Sequence, residues 1–254
     1  MRDRRSTLPT FAAACEAVLA APDRDHSTDT TLAPVHARTL SEGWGTRRDD
    51  LITARLPADV DRLLELGCGV GALLDRIADR YDAVGVDERS AHLQFAAARG
   101  GAVVRGRPTD PPVRNRFDGV CATEYATARS PAVDVCAGAY AALRPGGLAV
   151  VAAPTAASGV AESGVTTFTD SRYRLERAVD VENECTVAVD YRVTDRRTGE
   201  TAVTTERRTV ETTTADGLTA ALRTAGFEDV LISGESDLPG VVIGLGARPV
   251  DTGR

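Results

Sequence analysis

The chain has 254 residues, of which 43% are hydrophobic, with 30 basic against 37 acidic side chains and a formal net charge of −7. That length buries a sizeable core, most economically as one α/β domain with additions. The acidity argues against a broad nucleic-acid-binding surface, and no apolar run approaches the roughly 20 residues of a membrane span.

All 30 basic residues are arginine. This bias, beside the acidic excess, is compatible with a GC-rich, salt-loving source, because high salt screens acidic self-repulsion. The five cysteines, at 15, 68, 121, 136 and 185, are odd in number, widely spaced and without a CxxC pair. They predict free thiols in a reducing compartment rather than disulfides. His26, His36 and His92 lack ligand spacing, so no metal site is expected.

Leu8, Phe11, Cys15, Val18 and Leu19 recur at helical spacing, predicting an amphipathic helix over residues 8–20. Arg4-Arg5 ahead of it resembles a secretory signal, but Glu16 interrupts the apolar run, so a cytoplasmic protein is expected. A polar connection over 23–31 leads to helical pieces across 32–56, broken at Gly43-Trp44-Gly45. Residues 1–58 read as a helical cap.

From Val60 the pattern changes. Val60-Asp-Arg-Leu-Leu-Glu65-Leu-Gly67-Cys68-Gly69-Val-Gly71 is an apolar strand running into a glycine cluster, with a carboxylate two residues upstream of the first glycine. Such glycines let the backbone turn sharply and approach a ligand, and Leu73, Leu74, Ile77 and Tyr81 supply the buried face of a following helix. Gly67, Gly69 and Ala72 also satisfy the dinucleotide pattern, with Asp87 20 residues after Gly67, so the loop alone leaves NAD open as cofactor. Strands are expected at 83–87 and 117–123, the latter leading into Glu124-Tyr125. Leu143-Arg-Pro-Gly146-Gly147 then introduces the apolar run 148–153.

After a flexible-looking connection beyond Pro154, alternation in Tyr173, Leu175, Val179 and Val181 predicts a strand. Val187, Val189, Tyr191 and Val193 predict a second, and a turn containing Gly199 leads to a third near 201–212. The three-stranded antiparallel insertion has an apolar face that must cover either the acceptor pocket or another subunit. Arg196-Arg197 and Arg207-Arg208, interspersed with acids, read as its solvated surface. Thr214 caps a helix with Leu218, Ala221, Leu222 and Ala225 on one face, Gly226 stops it, and strands near 229–234 and 240–247 close the chain.

The ordered set of Glu65, the glycine loop, Asp87, the Leu143 to Gly147 turn and Leu222-Arg-Thr-Ala-Gly226-Phe227 resembles the class I S-adenosylmethionine-dependent methyltransferases, small-molecule type. The resemblance covers 60–154 and resumes near 214. It implies an α/β, Rossmann-like, seven-stranded, mostly parallel sheet with the last strand antiparallel, a helical N-terminal cap and an antiparallel β insertion. The implied division is cap 1–58, cofactor core 59–155, insertion 156–213, C-terminal core 214–249 and tail 250–254.

The implied cofactor set is Glu65, Gly67, Cys68, Gly69, Gly71, Asp87, Glu88, Arg107, Pro108, Ala122 and Thr123, with Asp87 holding both ribose hydroxyls. Arg107 stands where relatives carry an acid that accepts from the adenine amino group, and a guanidinium cannot accept. Stacking by Arg107, substitution by Asp110, or backbone atoms near Pro108 remain as alternatives. The resemblance further implies methyl transfer from S-adenosyl-L-methionine, with S-adenosyl-L-homocysteine as product, to an oxygen, nitrogen or carbon nucleophile of a small molecule. Glu124, Tyr125 and His36 are the candidates for moving a proton, and Trp44 or His36 for lining a lid. The competing expectations are an NAD-dependent oxidoreductase and a noncatalytic cofactor-binding module. The insertion is a candidate homodimer surface.

Overall fold

The computed structural model describes residues 8–40, 44–56, 60–161, 163–233 and 238–250. Three helices precede the first strand: α1 (Phe11–Ala20), α2 (Ala33–Thr39) and α3 (Trp44–Thr53). Thr10 caps α1 by accepting from the Ala13 amide at 3.1 Å, so the helix begins three residues after the expected Leu8, beyond Pro9. The helical stretch is divided into α2 and α3 as expected, with α3 resuming at Trp44 and running through Gly45. The lid role expected of Trp44 concerns a side chain outside those described.

The core alternates strands and helices: β1 (Arg62–Leu66), α4 (Ala72–Ile77), β2 (Asp82–Asp87), α5 (Ser90–Ala98), β3 (Ala102–Arg105), β4 (Phe117–Ala122), α6 (Glu124–Thr127), α7 (Ala132–Ala142) and β5 (Leu143–Pro154). The insertion follows as β6 (Gly164–Thr169), β7 (Tyr173–Asn183), β8 (Thr186–Asp195) and β9 (Thr201–Thr209). The chain returns through α8 (Ala215–Ala225), β10 (Glu228–Ser233) and β11 (Val241–Ala247).

Seven strands form one sheet in the order β10-β11-β5-β4-β1-β2-β3, with β11 antiparallel to both neighbours. Every residue of β4 is buried, as expected for a central strand covered on both faces. One face packs Leu64, Val120, Val135, Ala139, Leu218 and Leu222 under α7 and α8, and the other packs Ile52, Leu63, Leu73, Leu74 and Ile77 under α3 and α4. The order reverses at β1, whose neighbours β2 and β4 lead the sheet in opposite directions. The crevice beyond the carboxyl ends of these strands is where such sheets hold ligands.

The insertion has four strands, not three. The extra strand, β6, is an edge strand in which Phe168 alone is buried, so it lacks the alternation that marks its neighbours. The apolar face is covered within the chain: Leu175, Val189, Tyr191 and Val193 pack with Ala14, Cys15 and Val18 of α1. This contact consumes the apolar stripe of the N-terminal helix. Among the described residues no helix is long and apolar enough to cross a membrane.

Candidate active site

The glycine loop between β1 and α4 carries the local geometry of a ligand cradle. Gly67, Gly69 and Gly71 have φ of 72°, 53° and 77°, in the left-handed region that side chains disfavour. A Cβ on Gly67 would lie 2.7 Å from that of Ala126, whereas one on Gly69 would meet only His92 and Arg89 atoms, at 3.8 Å or more. The first glycine is therefore required by packing; the second keeps an open approach. The loop is tied to β2 by Gly67 and Cys68 amides donating to Val86 O at 2.7 and 3.1 Å.

Glu65 is 2% exposed at the end of β1, and its Oε2 has no hydrogen-bond partner. Burial, with Asp49 nearby, pushes its carboxyl well above the usual carboxylate range. An unpaired buried acceptor is costly, and a ligand ammonium would relieve it. Asp87, at the end of β2, is 1% exposed. Burial acts to raise it, but Arg89, by hydrogen bonds and by charge, outweighs this and holds the carboxyl below its ordinary value.

A cavity of about 480 Å³ opens from this loop. Glu65, Gly67, Cys68, Gly69 and Thr123 line its core end; His36 and Tyr125 flank its middle; Val187, Val189, Arg177 and Arg208 line its insertion end. His36 stacks on His92 with centroids 5.1 Å apart and meets Tyr125 edge-on at 6.2 Å. Burial, together with His92, Arg208 and Arg89, lowers His36 well below the ordinary imidazole value, so it is neutral at physiological pH. Burial also raises Tyr125, keeping its phenol protonated.

Glu124 is fully buried and does not line the cavity. Its Oε1 accepts from Arg48 Nη1 at 3.0 Å, and Arg48 also donates through Nε to Asp49 at 2.8 Å. Burial still pushes the Glu124 carboxyl upward. The Arg48 guanidinium lies 5.2 Å from the Tyr125 ring centroid, so this cluster fastens α3 to α6. Ala122 is buried at the end of β4.

On the adenine side expected from sequence, the Arg107 side chain is 76% exposed and 3.7 Å from Glu88. Asp110 pairs with Arg114 rather than turning inward. Neither Glu88, Arg107 nor Pro108 lines the cavity. Sequence reasoning missed Arg48, Arg89, His92 and Asp29, which organise the site. Its one available signal was Arg89 following two positions after the strand-end acid.

The residues present fit S-adenosylmethionine: an orphaned buried acceptor at Glu65, a glycine cradle, and a buried strand-end carboxylate at Asp87. Residues 63–147 match the model of a family described as a methyltransferase domain. No curated protein sequence matches the chain. Among solved structures, CalS10, an amino pentose methyltransferase from Micromonospora echinaspora, is 22% identical, with 89% of this chain and 99% of that one covered at a TM-score of 0.64. The sugar N-methyltransferase KedS8 from a Streptoalloteichus species is 18% identical over 85% and 92% of the two chains, with a TM-score of 0.67. A methyltransferase from Clostridium acetobutylicum is 13% identical over 88% and 100%, with a TM-score of 0.61. The domain match spans the glycine loop, Asp87 and the Leu143 to Gly147 turn, so residues 63–147 are a methyltransferase domain, and the sheet around them has the fold of the solved S-adenosylmethionine-dependent methyltransferases.

Proposed function

We propose that this protein transfers the methyl group of S-adenosylmethionine to a small molecule seated in the cavity between cap, core and insertion, with a sugar-borne amine as the favoured acceptor class. The observation that carries the reading is the continuity of that cavity, from Glu65 and Gly69 past His36 and Tyr125 to Val187 and Val189. The sugar N-methyltransferase among the structural neighbours, beside an amino pentose methyltransferase, supports nitrogen over oxygen or carbon.

When bound, the cofactor supplies an activated methyl group on a sulfonium. The chain's own work is then binding and placement. Glu65 and the glycine loop hold the amino acid end, and Asp87 holds the ribose. His36, neutral and facing the cavity, accepts a hydrogen bond from the N–H of an amine acceptor that enters unprotonated, and so orients its lone pair toward the methyl group. Arg177, which has no carboxylate within ion-pair distance among the described residues, keeps the surroundings positive and favours the neutral imidazole. Tyr125, held protonated, donates a hydrogen bond to orient the acceptor. The cap excludes water.

Calorimetry with S-adenosylhomocysteine and with NAD, followed by a methyl-transfer screen across amino sugars, simple amines and hydroxylic analogues, tests this reading. Binding of the former ligand and turnover concentrated among the amines are expected. Binding of NAD alone would sink it, and turnover confined to hydroxyls would move the acceptor class to oxygen.

A further inference from the structure

The two oxygens of Asp87 are already supplied with donors by the chain itself. Oδ1 accepts from the Arg89 amide at 2.9 Å and from Arg89 Nε at 2.8 Å. Oδ2 accepts from the Gly69 amide at 2.9 Å and from Arg89 Nη2 at 2.6 Å. The two backbone donors fix the direction of the carboxylate. The guanidinium grips it through two nitrogens, the strong geometry for such a pair. Arg89 lines the cavity and Asp87 does not, so the guanidinium stands between the acid and the space it is expected to serve.

The same guanidinium reaches a second acid. Its Nη1 lies 3.4 Å from Asp29 Oδ1, in the turn between α1 and α2, and Asp29 lines the same cavity. That turn joins the three parts of the molecule. The Thr28 amide donates to Glu206 of the insertion at 3.3 Å, Arg208 donates to Thr28 Oγ1, and Thr28 O lies 2.8 Å from His92 Nε2 of the core. Arg129, just after α6, also pairs with Asp29.

We propose that Arg89 is a gate on the ribose site: it occupies Asp87, and it transfers to Asp29 when a ribose diol takes the carboxylate. The inference rests on the methyltransferase reading above and deepens it. A diol offers two hydroxyl donors, matching the two guanidinium donors it must replace, while the Gly69 and Arg89 amide bonds remain. The displaced guanidinium, with only 15% of its side chain exposed, needs a partner, and Asp29 is the acid within reach. Cofactor binding thereby tightens the 27–30 turn against core and insertion, completing the acceptor cavity. The closed gate lowers apparent cofactor affinity by the fraction of molecules in which Asp87 is covered.

The test is the dissociation constant of S-adenosylhomocysteine for the full chain and for Arg89→Ala, Arg89→Lys, Asp29→Asn and the Arg89→Ala/Asp29→Asn double variant, each with its melting temperature. Removing the gate is expected to tighten binding about tenfold, and removing its second seat to weaken it about tenfold. In the Arg89→Ala background, Asp29→Asn is expected to have no further effect. Arg89→Lys, which keeps the charge but loses the two-point grip, guards against a poorly folded alanine variant and is expected to bind about threefold tighter than the parent. Amide exchange at residues 28–30 should slow on ligand binding in the parent and not in Asp29→Asn. Unchanged or weaker binding by both Arg89 variants overturns the gate, as does an Asp29→Asn effect that persists without Arg89. If neither the parent nor any variant binds S-adenosylhomocysteine, the cofactor reading itself fails, a result distinct from a bound but ungated ligand.

Discussion

His36 stacks on His92 with ring centroids 5.1 Å apart and planes inclined by 23°, and both imidazoles are held neutral by burial and by neighbouring positive charge. A neutral imidazole at the edge of the acceptor cavity is a hydrogen-bond acceptor for an amine N–H, and the same burial and charge keep it from being protonated there. His36→Ala is expected to lower kcat/KM for an amine acceptor about tenfold, the scale of one orienting hydrogen bond. The dissociation constant of S-adenosylhomocysteine should stay within about twofold. Equal turnover by the variant would remove His36 from acceptor placement.

The pair also makes a prediction for stability. His92 is fully buried, and burial with Arg89 lowers it from 6.5 to about 4 in the folded chain, against the opposing pull of Asp87 and Asp29 and its bond to Thr28 O. The unfolded chain therefore takes up a proton near pH 6.5 that the folded chain refuses. The contribution is present above pH 6.5, is lost as pH falls, and is gone below about pH 4; it amounts to on the order of 3 kcal/mol. Glu65 and Glu124, whose carboxyls are raised by burial, work in the opposite sense, so the informative quantity is the difference between the parent and His92→Gln. Urea midpoints of the two proteins should converge as pH falls from 7 to 4. Parallel curves would show that His92 does not titrate with unfolding.

Glu124 was the strand-end acid favoured by sequence as a base, but its carboxylate faces Arg48 and lies outside the cavity wall. Glu124→Gln leaves Arg48, 3% exposed, with Asp49 as its remaining carboxylate. The expected result is a loss of about 2 kcal/mol of stability, softened by that surviving partner, with cofactor affinity unchanged. Turnover abolished at an unaltered melting temperature would instead return Glu124 to direct contact with the acceptor.

The cofactor half of this site was legible in sequence because its demands are local. A strand that must end in a tight turn needs Gly67 and Gly71, and an acid at a strand end, Asp87, sits at a fixed spacing from them. The acceptor half was not legible, because it is assembled from side chains far apart in the chain: Arg48 meets Glu124, Thr28 meets Glu206, and Asp29 meets Arg89 and Arg129. Alternation predicted the strand carrying Val187 and Val189, but could not reveal that α1 would cover part of their face and leave the rest as cavity wall. β6 escaped notice because an exposed edge strand with one buried residue has no hydrophobic period to read.

Gly67 and Gly100 separate two reasons for glycine. Both have positive φ, 72° and 88°, but a Cβ at Gly100 meets nothing within 4 Å whereas one at Gly67 would lie 2.7 Å from Ala126 Cβ. Gly100→Ala is expected to cost about 1 kcal/mol, the backbone strain alone. Gly67→Ala should cost about 3 kcal/mol and weaken S-adenosylhomocysteine binding more than tenfold, because the loop must shift away from α6. Equal melting temperatures for the two variants would mean that crowding at Ala126 is absorbed without consequence.

Val189 tests whether the insertion end of the cavity is where the acceptor sits. It is 1% exposed, lines the cavity, and belongs to β8, remote from the glycine loop. Val189→Trp should occupy the acceptor end and raise KM for the acceptor at least tenfold, while the dissociation constant of S-adenosylhomocysteine stays within about twofold. Overpacking against Tyr191 and α1 is expected to cost about 1–3 kcal/mol, so Val189→Met, a smaller step, provides the control in which KM rises less and the fold is nearly unperturbed. If cofactor affinity falls in parallel with acceptor affinity, the two ligands do not divide the cavity between core and insertion; if neither changes, the acceptor approaches from elsewhere.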